Sequence, residues 1–517
     1  MRSSAPVAAR RRLSSISISR GPPMSPSRNG QFLLAGLVTF LVLAVASFLV
    51  FDRLLVLPAR DPPQSVRQVL FEQTTGPRII IDAGSNAYVG LDPEILERRF
   101  GRQTVLLADH AGYPLDIKLA RLEKYLHADD VLILPLEWNY YVGHFSDSTF
   151  TDNVFTALKH YYRALPFWER VKFFFTGMKF SSIFKHVRSL ALGEVKRPGP
   201  QAIVSEWYAQ LKHSPFGAAL NDGPVPRYVG FFDCRSMLLF GEKNGAPDLE
   251  RLADRLAAIA RAKQVKIALT WPVVIGKDCY DTYERDFRPA ENALRAAMAR
   301  VGIPILGSPR DYYFADERYM LDTYYHPIAE GARIRTRRLA DQTAKAGLLA
   351  PEAVPAAELA EQRLEAIDAA IAAVAYRGLK PARNGTHVID QSMVENTILF
   401  GRGWSQPEAN SFVWSDGTES VLAIRLPERR CRLTLNHFLH GDQQDSLVKL
   451  APSQDWQSAS EPIIVPAEAR GVALLQLRHR NVKSPLELGQ GGDPRRLKFN
   501  LQSITVDCGA DETAGAR

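Results

Sequence analysis

A serine in a tight turn after a buried strand, and a histidine just ahead of a late helix, offer this 517-residue chain its widest scope for chemistry. Ser85 sits in Asp82-Ala-Gly-Ser-Asn-Ala-Tyr-Val-Gly90, directly after the apolar run Arg78-Ile-Ile-Ile-Asp82. Gly84 permits a sharp turn, and backbone N–H groups opening the next helix can receive a negative oxygen. Those are the needs of an acyl-transfer nucleophile, which also requires a base and a group to orient that base. His326 supplies a candidate base in Tyr319-Met-Leu-Asp-Thr-Tyr-Tyr-His-Pro-Ile-Ala-Glu-Gly-Ala332, with Asp322 four residues earlier as the orienter. Taken alone, Gly-Ser-Asn also makes an ordinary turn through local hydrogen bonds, and His326 could merely precede Pro327.

The flanking pattern says what must hold these residues. Strands are expected at 78–82, 104–108, 130–136, 265–270 and 304–306, and helices at 93–100, 115–126, 248–263, 290–301 and 327–346. Runs that are apolar throughout and alternate with helices predict a parallel sheet covered on both faces. In such a doubly wound α/β sheet, sites form at the carboxyl ends of strands, where Ser85 lies. Residues 145–245, aromatic and basic in HYYRALPFWERVKFFFTGMKF, read as a helical insertion, either simple packing helices or a lid or membrane-facing surface.

The arrangement resembles the SGNH/GDSL hydrolase superfamily, in which a serine follows the first strand and an Asp-x-x-His motif precedes the last helix. The likeness covers roughly residues 78–345, interrupted by the insertion. It is similar above all to the membrane-tethered periplasmic branch that includes alginate-type polysaccharide O-acetyltransferases. It implies an SGNH-like α/β fold with Ser85 as nucleophile, His326 as base and Asp322 as its orienter. Gly112 and Asn139, after the second and third strands, would form the oxyanion hole. The implied substrate is a polysaccharide, the implied partner a membrane acyl donor, and no cofactor is implied. This chain departs from the pattern in three places. The serine motif is Ala-Gly-Ser-Asn rather than Gly-Asp-Ser. The acid-to-base spacing is one residue longer, which leaves Asp316 or Asp311 as alternative carboxylates. Asn139 lies in Leu136-Glu-Trp-Asn-Tyr-Tyr rather than Gly-x-Asn-Asp. A second reading therefore stands beside the enzyme: an SGNH-like scaffold without a working triad, binding glycan in a polysaccharide assembly or export complex.

Beyond an Ala/Glu-rich helical linker (347–384), short strands broken by turn residues across 385–510 predict a β-sandwich. Trp404 and Trp414 could stack on a pyranose face or pack the sandwich core. His437 and His440, an odd number of residues apart, fall on opposite faces of a continuing strand, and no metal site is expected. Cys234, Cys279, Cys431 and Cys508 allow three disulfide pairings; Cys234–Cys279 with Cys431–Cys508 keeps each bond inside one domain.

The twenty residues Phe32–Phe51 carry no charge, enough for a helix across a bilayer of about 30 Å. Residues 1–30 hold six of the 64 basic residues and no acidic one, leaving 58 basic against 56 acidic in the rest. The net charge of +8 thus largely marks a basic tail, which orients an inner-membrane signal anchor (31–53) with its bulk in the periplasm. The other reading is a cleaved signal peptide with Ala44-Val45-Ala46 as the small-residue site, and Met24 is an alternative start. No Lys/Arg stripe with interleaved aromatics suits nucleic acid, which is excluded as a partner. The expected order is tail, anchor, α/β domain (70–346), linker and sandwich.

Overall fold

The computed structural model describes residues 26–52, 62–74, 76–142, 150, 159–177, 179–192, 199–211, 234, 237–238, 240–241, 247–275, 279–352, 354–375, 378–405, 412–442, 444–451, 455–467 and 471–509. Residues 1–25 of the basic tail, Met24 among them, Pro58, residues 406–411 and much of the expected insertion lie outside them. The chain divides into two compact units, 1–56 and 57–517.

In the first unit, α1 (Pro26–Val50) is a continuous helix. Its stretch Gly30–Val50 has a mean hydropathy of 2.7 and is the one helix among the described residues long and apolar enough to cross a membrane. At 1.5 Å per residue those 21 residues reach about 30 Å.

The second unit begins with α2 (Pro62–Gln73), β1 (Ile79–Ile81), α3 (Ser85–Gly90), α4 (Pro93–Phe100), β2 (Thr104–Leu106), α5 (Leu115–Tyr125), β3 (Val131–Leu134) and α6 (Trp138–Val142). The boundaries of α4 have local causes. The Asp92 side chain accepts from Glu94 N, Pro93 takes the first turn, and Gly101 closes the helix at φ +62°. The expected insertion is helical where described: α7 (Lys159–Ala164), α8 (Phe167–Lys172), α9 (Phe180–Ala191) and α10 (Pro200–Leu211). There follow α11 (Pro247–Lys263), β4 (Lys266–Leu269), β5 (Val274–Ile275), α12 (Asp281–Arg300), β6 (Tyr313–Phe314), α13 (Ala329–Lys345) and α14 (Ala356–Ala375).

The main sheet has the order β2-β1-β3-β4, all parallel. Ile79, Ile80 and Ile81 and all of β3 are buried, as strands covered on both faces must be. Two expectations change. The strand at 304–306 shrinks to a single bridge, Leu269 to Ile305. Helix α12 starts nine residues before the expected Ala290, because Pro289 sits inside it rather than ending it. Cys234 and Cys279 form a disulfide in this domain.

The C-terminal part contains β7 (Gly385–Val388), β8 (Ile398–Phe400), β9 (Val413–Asp416), β10 (Glu419–Arg425), β11 (Cys431–Leu439), β12 (Leu447–Leu450), β13 (Gln457–Ser458), β14 (Ile463–Val465), β15 (Val472–Arg478) and β16 (Leu497–Cys508). These make two antiparallel sheets, β13-β12-β15-β10-β8 and β14-β11-β16-β7, with β9 also on β16. The sheets enclose one apolar core containing Leu422, Leu433, Leu475, Phe499 and Ile504. Cys431 and Cys508, directly opposite across β11 and β16, are disulfide-bonded.

The residues expected as a linker are a packed layer. Strands β10 and β15 are buried over five consecutive residues each, not alternately. The cause is α14, whose Ile367, Ala370 and Ile371 pack with Val421, Ala423 and Leu474 and with Val204 and Trp207 of α10. Arg363 of α14 pairs with Glu97 of α4 at 2.7 Å, and Asp368 pairs with Arg402 at 3.2 Å. A helix that buries both flanks packs between the α/β and β parts rather than spacing them.

Inside the sandwich, His479 is held between the hydroxyls of Ser420 and Ser446, each 2.8 Å from a ring nitrogen. Burial pushes its pKa down to about 4. The unfolded chain, with an ordinary imidazole, therefore binds a proton between about pH 6.5 and 4 that the folded chain refuses. Stability from this group is full above pH 6.5 and falls as the pH drops toward 4, by about 3 kcal/mol in all. Urea titrations at pH 7 and pH 4.5 should show that fall, and His479→Gln should flatten it. An equal slope in both proteins would remove His479 as the cause.

Candidate active site

The site is built at the carboxyl ends of β1, β2 and β3. A buried ionic cluster makes its floor. Asp82, at the end of β1, accepts from Arg121 at 2.6 Å and Lys118 at 3.3 Å, both on α5. Lys118 also binds Ala83 O at 2.9 Å and pairs with Asp109 after β2, while the Tyr161 hydroxyl of α7 donates to Asp109. Burial would raise the Asp109 carboxyl, but Lys118 and Arg121 outweigh it and hold the group below the usual carboxylate range.

On this floor the serine turn is clamped from below. The wholly buried Glu137 accepts from Gly84 N at 3.0 Å and from Asn86 N at 3.1 Å, one carboxylate oxygen on each side of Ser85. Asn86 donates to Pro135 O at 2.9 Å. Thus two of the backbone N–H groups expected to face an oxyanion are spent on Glu137. Ser85 is half-buried, and its hydroxyl has no hydrogen-bond partner among the described residues. Gly84 has no room for a side chain, since a Cβ there would lie 2.3 Å from Glu137 Oε1 and 2.5 Å from Ala111 Cα. Gly84→Ala should therefore cost about 1–3 kcal/mol of stability by overpacking and displace the serine. A variant with an unchanged urea midpoint would show that the turn yields freely.

His326 is presented from a tight turn in which Leu321 N donates to His326 O at 2.7 Å. Its Nδ1 lies 2.7 Å from Asp322 Oδ1, so this pair has the geometry of a base and its orienter. The alternative carboxylates are occupied elsewhere. Asp316 caps the turn at Glu317–Tyr319 and pairs with Arg318, and Asp311 accepts from Ser308 N and Gln342.

The histidine loop lies against the serine helix. A Cβ on Gly90, at the far end of α3, would be 2.9 Å from Pro327. Arg335 of α13 reaches into α3, donating to Asn86 O at 2.8 Å, Asn86 Oδ1 at 2.6 Å and Trp271 O at 3.1 Å. With no carboxylate hydrogen-bonded to it among the described residues, this buried guanidinium is desolvated, which pulls its pKa down to about 10. Thr336 Oγ1 accepts from Asp92 N at 2.9 Å and ties the same two segments. No hydrogen bond joins Ser85 to His326.

The expected oxyanion residues sit at the same rim but are engaged. Gly112 N donates to the His110 Nδ1 at 2.9 Å, and Asn139 Nδ2 donates to Ala111 O at 2.7 Å. His110, which by sequence reads as a surface histidine near a strand end, is exposed, stacks on Tyr113 and holds the Gly112 N–H. Glu137, Asn86 and Arg335 are site residues that the sequence pattern did not single out. The one signal for Glu137 was a carboxylate ending an otherwise apolar strand.

No family model matches this sequence, and no characterised protein sequence matches it. Solved structures do match, among them one described as "a putative platelet activating factor from Streptococcus pneumonia". It covers 57% of this chain and 98% of its own, at 11% identity and a TM-score of 0.29. Among the described residues no cluster of three or more His, Cys, Asp or Glu is placed to hold a metal ion.

The two tryptophans part company in the sandwich. Trp404 donates from Nε1 to Val421 O at 2.7 Å and packs edge-on against Phe400 and Phe499, at the core. Trp414 alternates with buried Val413 and Ser415 and meets Phe438 at 5.2 Å on the outer face. His437 stacks on Phe499, and a register shift at Asn436/His437 breaks the simple alternation expected for it and His440.

Proposed function

We propose that this chain performs serine-dependent acyl transfer, as an O-acetyltransferase or acyl esterase, on a cell-envelope or exported polysaccharide. We place the α/β domain and sandwich on the periplasmic side of the inner membrane, held by α1. The observation that carries the reading is the Asp322–His326 pair, set on a loop that packs against the helix opened by Ser85. Ser85 Oγ attacks the ester carbonyl while its proton passes to His326 Nε2, and Asp322 steadies the imidazolium through Nδ1–H. The tetrahedral intermediate then expels the alcohol, which takes that proton. Water or a sugar hydroxyl, deprotonated by the same histidine, releases the acyl group. Asn139 Nδ2 and the Gly112 N–H would serve the oxyanion, the latter after leaving His110.

The purified full chain is tested with a fluorophosphonate and with p-nitrophenyl acetate. Labelling and turnover that disappear in Ser85→Ala and His326→Ala support the reading. A second reading, a glycan-binding scaffold with no turnover, is favoured by the Gly112–His110 bond and by the missing Ser85–His326 bond. It predicts no labelling in any form.

For glycan contact the reading takes Trp414 rather than Trp404, because Trp404 packs at the core while Trp414 lies on the outer face. Trp414→Ala should weaken retention on the polysaccharide without changing the melting curve. Trp404→Ala, removing a core ring, should destabilise the sandwich by about 3–5 kcal/mol. Equal retention in wild type and Trp414→Ala would refute the stacking role.

A further inference from the structure

Helices α8 and α9, with the turn Phe173–Gly177 between them, expose an apolar surface that a globular domain would normally bury. Trp168 is 76% exposed and Phe184 72%, and Phe167, Phe175, Val187 and Leu192 are exposed as well. On α9 the outward positions Phe184, Val187 and Ala191 fall at helical spacing and form one stripe. In a water-soluble helix such a stripe faces the core; here no described element packs closely along it. The surface is also strongly basic. Residues 159–192 contain seven Lys or Arg and one acidic residue, Glu169, which pairs with Lys172 at 3.8 Å. Lys185 and Arg188 flank the α9 stripe and are exposed.

We propose that α8, α9 and the turn between them dock on an anionic lipid surface, with Trp168, Phe184 and Val187 entering the headgroup–acyl boundary. The argument for lipid over a protein partner is charge complementarity joined to covalent connection. Aromatic and aliphatic side chains flanked by Lys and Arg match the interface of an anionic bilayer. The same chain carries a helix of membrane-crossing length, so a bilayer is never far from this domain if α1 spans it. The inference rests on that reading of α1 and not on the acyl-transfer chemistry.

The test uses the full chain reconstituted into vesicles of phosphatidylcholine alone, or with phosphatidylglycerol, and in detergent micelles. Hydrogen exchange over residues 167–192 should be roughly tenfold slower in the anionic vesicles than in micelles. Phe184→Ser with Trp168→Ser, and separately Lys185→Glu with Arg188→Glu, should abolish that difference; both pairs are exposed, so folding is spared. Brominated acyl chains should quench wild type more than Trp168→Phe. Equal exchange in all three environments overturns the proposal. So does protection in micelles that rises with protein concentration, which would mark a second copy as the occupant. Alkaline carbonate extraction reads α1 separately: release of the chain would refute the anchor, while protection by added anionic vesicles would still uphold the surface.

Discussion

Replacing Ser85 with alanine will eliminate fluorophosphonate labelling and lower ester turnover by about ten-thousand-fold or more, the scale seen when an acyl-transfer nucleophile is lost. The substitution is gentle to the fold. The Ser85 hydroxyl bonds to no described residue, and the turn is held by Glu137 through Gly84 and Asn86, so the urea midpoint should not move. That separation makes the measurement decisive. A labelled alanine variant, or turnover within threefold of wild type, would remove Ser85 from the chemistry. His326→Ala should approach the same loss, and Asp322→Asn should lose less, because a carboxylate that orients an imidazole acts only through it.

A large expected loss of stability lies just beneath. Lys118→Met should cost about 3–5 kcal/mol, since removing one member of a buried charge cluster leaves its partners uncompensated. Lys118 is buried with Asp82 and Asp109, and Arg121 reaches only Asp82 directly. The methionine keeps an unbranched apolar chain of four heavy atoms, so lost packing adds little. For a domain of ordinary stability, 5–15 kcal/mol, this is a large share. A second substitution, Asp109→Leu, should recover part of it by removing the stranded carboxylate. Urea unfolding of the single and double variants reads both effects. A single-variant loss below about 1 kcal/mol would mean that water reaches Asp109 and that the cluster is not the floor described.

These two variants divide the site as its construction does. The serine is presented, while the ionic cluster and Glu137 hold the platform. Tyr161 extends that platform into the helical insertion, because its hydroxyl closes the coordination of Asp109. Arg335 does the same for α13 by binding four carbonyl-type oxygens in α3 and the β4–β5 connection.

Local chemistry made much of this visible in the amino-acid string. Uninterrupted apolar runs announced β1 and β3, and a run broken only by Lys266 announced β4. Helical spacing from Pro93 to Phe100 announced α4. Ser85, His326 and Asp322 could be named because strand-turn-helix order places loops at known ends of a parallel sheet. Short apolar-rich or alternating runs broken by turn residues announced the sandwich strands, and an uncharged stretch announced α1.

What the string could not disclose depends on contacts between distant residues. Glu137 lies 53 positions from Gly84, and Arg335 lies 249 from Asn86. Their roles arise from where buried charges find partners, which no local pattern encodes. The Ala/Glu-rich α14 reads as a spacer by composition. It becomes a layer only because small residues along it let β10, β15 and α10 approach. Trp404 and Trp414 look alike in sequence and differ because Trp404 sits opposite the buried Ser415 of β9, while Trp414, one residue before Ser415 on that strand, falls on the other face. Local propensity and hydrophobic period decide which elements form. Charge desolvation and close packing, summed over the folded chain, decide which side chains those elements bring together.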